Sequence, residues 1–183
     1  ALQCTADNVR IVDNYFEWCD DCVSCDTTYD DYTDTEGDTY LHHIMGTTTN
    51  RVGRGYTIKG NICYNSSEHC FYLNAMNMSC TGNTINVDNA VVCSTRQIQA
   101  RGRGLSIVGN TFTGVDSAIG ITTGAMDVTF EGNSIQAVGD NAGGVVNIQS
   151  FGLSAYLTSA LVTPYWTIKP QRNIVVSGNT INL

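Results

Sequence analysis

Apolar residues recur in the chain at fixed offsets from a Gly-Asn dipeptide. The dipeptide stands at Gly60-Asn61, Gly82-Asn83, Gly109-Asn110, Gly132-Asn133 and Gly178-Asn179. Four and two residues before each glycine, and three after it, are Tyr56/Ile58/Cys63, Met78/Cys80/Ile85, Leu105/Ile107/Phe112, Val128/Phe130/Ile135 and Ile174/Val176/Ile181. A sixth copy carries Asp13-Asn14 between Val9/Ile11 and Phe16. The two positions before the dipeptide share one face of a strand, because side chains alternate with period two. Glycine and asparagine both tolerate the left-handed conformation, so the dipeptide bends the chain. The change of parity across it keeps the apolar face inside.

The glycines are 22, 27, 23 and 46 residues apart, and the last interval is twice 23. Dividing the distance from residue 13 to residue 178 into seven steps predicts eight coils of about 23 residues. One Gly-Asn signal then falls missing near Gly152-Leu153-Ser154-Ala155 and another in the segment after Glu17. A second apolar strand is expected in most coils, at Val91-Val92-Cys93, Ala118-Ile119-Gly120-Ile121 and Val145-Val146-Asn147-Ile148. A chain that returns to the same face at this period, rising one strand spacing each time, is a parallel β-solenoid. The expectation is an all-β, single-stranded, right-handed parallel β-helix of about eight coils, its hand set by crossover chirality. Its corner asparagines would stack as a ladder. A β-sandwich would instead space its hairpins every 8–12 residues, without fixed inward triplets.

Rungs such as Val128-Thr-Phe-Glu-Gly-Asn-Ser-Ile135 and Ile174-Val-Val-Ser-Gly-Asn-Thr-Ile181 resemble those of the pectate-lyase-like right-handed parallel β-helices, a group that includes bacteriophage tailspikes. The resemblance implies a tailspike-type segment that recognises, and in the enzymatic case depolymerises, a bacterial surface polysaccharide such as capsule or O-antigen. It also implies a homotrimer joined to other segments of a tail protein, acting on the virion tail after assembly in the host cytoplasm. The alternative is a non-catalytic glycan-binding or structural β-helix module of a tail fibre. No stretch matches a catalytic signature of the family. The first and last rungs carry no polar cap, so the domain spanning 1–183 is expected to belong to a longer polypeptide or to be covered by partner domains.

Composition supports strands joined by turns: 18 Gly, 22 Thr and 17 Asn stand beside two lysines, Lys59 and Lys169. The formal charge is −8, and residues 1–38 hold eleven acids against Arg10 alone. A field of that sign repels phosphate, which argues against a nucleic-acid partner. No apolar run approaches the ~20 residues of a membrane span, so no membrane insertion is expected. The acids between Asp20 and Asp38 predict a solvated loop region at 20–38, with calcium binding as the alternative.

Asp88, Asp116 and Asp140 each follow the last apolar position of their rung by three to five residues, which would align them on consecutive coils. Asp116 and Asp140 are the candidate catalytic pair of a hydrolase or lyase, with Glu131 in reserve and Asp88 on the substrate. Asp residues at such places also cap turns through the backbone. Arg96, Arg101 and Arg103 lie in the longest of the evenly spaced coils, where the extra length predicts an open loop able to grip acidic sugars. Trp166 and the tyrosines outside the triplets, Tyr72 among them, are candidate stacking surfaces for sugar rings.

The eight cysteines all lie within the first 93 residues, and none in the last 90. Cys19-x-x-Cys22-x-x-Cys25 has ligand-like spacing, and His42 or His43 could add to it, but Tyr29 stands where a ferredoxin run needs a fourth cysteine. Free thiols, without metal or other cofactor, are the expectation. Cys70 and Cys93 are the pair best placed to bridge neighbouring coils.

Overall fold

A computed structural model of the chain describes residues 2–4, 6–26, 32–33, 39–40, 53–88, 96–122, 125–138, 144–149 and 171–183. All regular structure in these residues is β. The first pass of the repeat holds β1 (Leu2–Gln3), β2 (Arg10–Val12) and β3 (Tyr15–Glu17), and the second opens with β4 (Asp21–Asp26). An antiparallel pair, β5 (Tyr32–Thr33) and β6 (Thr39–Tyr40), precedes β7 (Arg54–Lys59) and β8 (Ile62–Tyr64). The third pass is β9 (His69–Asn74), β10 (Met76–Thr81) and β11 (Thr84–Asn86); the fourth is β12 (Ile98–Ala100), β13 (Arg103–Val108) and β14 (Thr111–Val115). The fifth is β15 (Ile119–Thr122), β16 (Met126–Glu131) and β17 (Ser134–Ala137), and the sixth is β18 (Val146–Gln149), β19 (Arg172–Ser177) and β20 (Thr180–Asn182). The first strands of the passes form one six-stranded sheet, the second strands another and the third strands a third. Every pairing within these three sheets is parallel, and no helix in the described residues is long and apolar enough to cross a membrane.

The inward triplets align in register. Tyr56, Met78, Leu105, Val128 and Ile174 share one row of the second sheet, and Ile11, Ile58, Cys80, Ile107, Phe130 and Val176 the next inward row. Phe16, Cys63, Ile85, Phe112, Ile135 and Ile181 form the matching row of the third sheet. The middle passes bury these side chains completely, whereas Val176 and Ile181 are 42% and 45% exposed. They belong to the sixth pass, beyond which no described strand lies.

The dipeptides make every corner between the second and third sheets. Gly60, Gly82, Gly109, Gly132 and Gly178 all have φ between 60 and 65°, and Asp13 takes the same conformation at 56°. Each asparagine then points inward. Asn61 Nδ2 donates to Asn83 Oδ1 (3.0 Å) and to Ile11 O in the preceding pass (2.9 Å), while its backbone N–H donates to the same Asn83 oxygen (2.9 Å). Asn83, Asn110 and Asn133 repeat the pattern, and Asn14 joins at one end and Asn179 at the other. A second left-handed row, five residues before each dipeptide, runs through Asn8, Gly55, Asn77, Gly104, Asp127 and Asn173. A Cβ on Gly104 would come within 2.7 Å of Asn77 Oδ1, and that side chain would have to turn aside.

Two expectations change. Among the described residues the passes number six, not eight: Ile11 pairs directly with Ile58 and Phe130 with Val176, so the 47- and 46-residue intervals each separate neighbouring strands of one sheet. Both connections, 27–53 and 150–171, leave the same corner, between the first and second sheets. The solvated region expected over 20–38 begins instead as a strand, since β4 pairs with β1 and β9 and buries Cys22, Val23 and Cys25. In the fourth pass the first-sheet strand is Ile98–Ala100; residues 91–93, and with them Cys93, lie outside the described residues.

Candidate functional site

Asp88 and Asp116 stand where the chain leaves the third sheet for the first, after β11 and β14, and both are exposed. Asp88 N–H donates to Asn65 Oδ1 (2.7 Å), so this corner is tied by its backbone. Val138 continues beside Asp116 in the next pass, its N–H bonded to Val115 O (3.0 Å). Asp140 and Trp166 lie outside the described residues. Glu131 ends β16 in the outward row Val12, Lys59, Thr81, Val108, Glu131, Ser177. The third sheet separates it from Asp116: the run from Thr111 to Val115 alone spans about 13 Å at the rise of a parallel strand. That exceeds the roughly 6.5–9.5 Å of an inverting carboxylate pair. Glu131 is therefore no partner for Asp116.

The arginines are built into a different corner. Arg101 and Gly102 are the whole connection between β12 and β13, and Gly102 is packed so closely that a Cβ would overlap the carbonyl of Ala75. Arg-Gly-Arg-Gly is thus a tight corner and not an open loop. The extra length of this pass falls between β11 and β12, where Arg96, two residues before β12, lays its side chain over Gly120. Arg101 Nη1 donates to the Tyr72 hydroxyl (2.7 Å), and its guanidinium carbon lies 5.3 Å from the centre of that ring. The His69 ring meets Tyr72 edge-on at 5.7 Å, and its Nδ1 is 3.3 Å from Asp21 Oδ1 and 3.9 Å from Glu68 Oε1. Arg103 Nε donates to Asp127 Oδ2 (3.2 Å).

Arg103 also belongs to a register row: Arg54, Met76, Arg103, Met126, Arg172. Arginine thus recurs at every second pass, about 9.6 Å apart along the stack. Arg54 is exposed, and Arg103 and Arg172 are half-buried. Arg54 and Arg172 were not among the sequence-derived candidates, although each stands six residues before its dipeptide glycine, as Arg103 does.

The fold divides Cys19-x-x-Cys22-x-x-Cys25. Cys22 enters the core and meets Cys63 of β8 and Cys70 of β9, whereas Cys25 lies in electrostatic reach of Cys4 and Cys80. Hydrogen bonding with Cys63 and Cys70 holds Cys22 well below the usual thiol range, while the Cys70 thiol donates to Gln97 Oε1 (3.0 Å). The bond to Cys22 pushes Cys63 up, and burial does the same for Cys70, Cys25 and Cys80. The seven described cysteines carry no disulfide, while Cys93, His42 and His43 lie outside the described residues. No protein-family model, curated protein or solved structure matches the chain.

Proposed function

We propose that the chain is a right-handed parallel β-helix segment of a bacteriophage tailspike-type protein, which binds an acidic polysaccharide of the bacterial surface without cleaving it. The row Arg54, Arg103, Arg172 supports this most directly. Guanidinium groups grip carboxylates through paired hydrogen bonds, and their regular spacing along a rigid stack suits a polymer with regularly spaced carboxylates. Arg101, held against Tyr72, adds a fixed cation and an aromatic face beside the row. The distance between Glu131 and Asp116 weighs against glycoside hydrolysis by that pair. Membership of a homotrimeric virion tail protein follows from the resemblance of the rungs, and light scattering at three times the 19.8 kDa chain mass is the expected result; a monomer removes that part.

Calorimetric titration with a polyuronate, with neutral dextran as control, tests the binding. Polyuronate should bind, more weakly as salt rises, and release no reducing ends; dextran should not bind. Arg54→Gln should weaken binding about tenfold, the loss of one charge-assisted hydrogen bond. Equal affinity in Arg54→Gln and Arg103→Gln removes the arginine row as the site. Release of reducing ends that stops in Asp116→Asn replaces the binding module with an enzyme.

A further inference from the structure

Cys22, Cys63 and Cys70 are fully buried, and their three Sγ atoms lie within 4.8 Å of one another. They come from three strands, β4, β8 and β9; Cys63 and Cys70 lie 41 and 48 residues after Cys22 and seven from each other. Cys19 is half-buried in the connection between β3 and β4, close enough to Cys22 to influence its thiol but outside the three-sulfur group, and its own thiol faces Glu17 O (3.6 Å). Ser66 Oγ lies 2.6 Å from Asp20 O and 2.7 Å from His69 O, tying together the two connections that deliver Cys19, Cys22 and Cys70. The other buried thiols, Cys25 and Cys80, are outside this group.

We propose that Cys19, Cys22, Cys63 and Cys70 form a structural tetrathiolate site for one zinc ion. A zinc–sulfur bond of about 2.3 Å in a tetrahedron sets its sulfurs about 3.8 Å apart, which three sulfurs confined within 4.8 Å can reach by small side-chain adjustments. An iron–sulfur cluster has to enclose several atoms between its ligands, and sulfurs this close leave room for a single ion. A disulfide would use two of the three buried thiols and leave the third beside it. Zinc takes the sulfurs as thiolates and their protons pass to solvent, so its divalent charge compensates thiolates that the apolar core cannot hold alone. Cys19 would be the one half-buried ligand.

The site is tested on the full chain, purified without chelator. Elemental analysis should find about one zinc per chain. After removal of zinc, Co2+ should produce the visible absorption of tetrahedral thiolate cobalt, displaced by added Zn2+. Alkylation followed by mass spectrometry should find Cys19, Cys22, Cys63 and Cys70 protected by zinc, with Cys25 and Cys80 labelled equally with and without it once the chain is opened by denaturant at low concentration. Cys63→Ser and Cys70→Ser should bind zinc at least tenfold more weakly, and Cys80→Ser should bind as the parent does. The protection pattern on the unmutated chain decides the matter even if a serine variant fails to fold. A disulfide among the four cysteines in the purified chain, no thiolate cobalt spectrum, or protection that ignores these four would each overturn the site.

Discussion

At Asn110 the carboxamide oxygen accepts the backbone and side-chain N–H groups of Asn83, while its nitrogen donates to Cys80 O and to Asn133 Oδ1. No other side chain offers two lone pairs and two protons at this reach. Asn110→Ala removes the acceptor of the buried Asn83 N–H and one donor to Cys80 O, and a loss of about 1–3 kcal/mol in urea denaturation is expected. Asn14→Ala, at the exposed end of the ladder, should cost less than about 1 kcal/mol by the same assay. Two glycines separate strain from crowding in the same way. Gly109 has φ of 64° and nothing within 4 Å of a new Cβ, so Gly109→Ala should cost only about 1–2 kcal/mol of backbone strain. Gly102→Ala should cost more, because the new carbon meets the backbone of Ala75 and the corner itself has to move.

The inward rows carry titratable groups whose burial shapes the response of the strands to alkali. Burial holds Tyr56, Cys25 and Cys80 protonated above their ordinary values. The folded chain therefore keeps protons that the unfolded chain releases, and stability is full below a pH of about 8.5 and falls as pH rises past 9–10. The urea midpoint should be lower at pH 10.5 than at pH 8, and Cys80→Ala should flatten that slope; a midpoint that does not move would contradict the burial. The same rows show what a sequence makes legible. Tyr56 to Cys63 and Leu105 to Phe112 obey identical offsets because a rung's length and parity are held by its neighbours through register. Nothing in the stack constrains a connection that leaves it, so 46 residues between Gly132 and Gly178 resembled two rungs although they separate neighbouring strands of one sheet. Arg54 and Arg172 were legible by offset but hidden by distance from Arg101 and Arg103. The meeting of Cys22, Cys63 and Cys70 was not legible, since it follows from which rungs lie side by side across a corner, and that required the true number of passes.

At the scale of the whole molecule, six passes share one ladder, and both long connections leave a single corner while the ladder runs on beside them, from Asn14 to Asn61 and from Asn133 to Asn179. Each rung therefore meets its neighbours through a surface nearly identical to the one it offers in return, and length becomes a variable independent of sequence detail. Removing residues 110–132 would join Gly109 to Asn133, restore a Gly-Asn corner and set Phe112's neighbours Ile85 and Ile135 in contact. The shortened chain should fold as five passes with a single cooperative transition, and loss of that transition would show that the rungs are not interchangeable. For a gene encoding such a stack, unequal recombination between rungs adds or deletes a whole unit without a frustrated intermediate. Proteins of this design can thus change their reach in steps of one strand spacing, inheriting a new length in a single event.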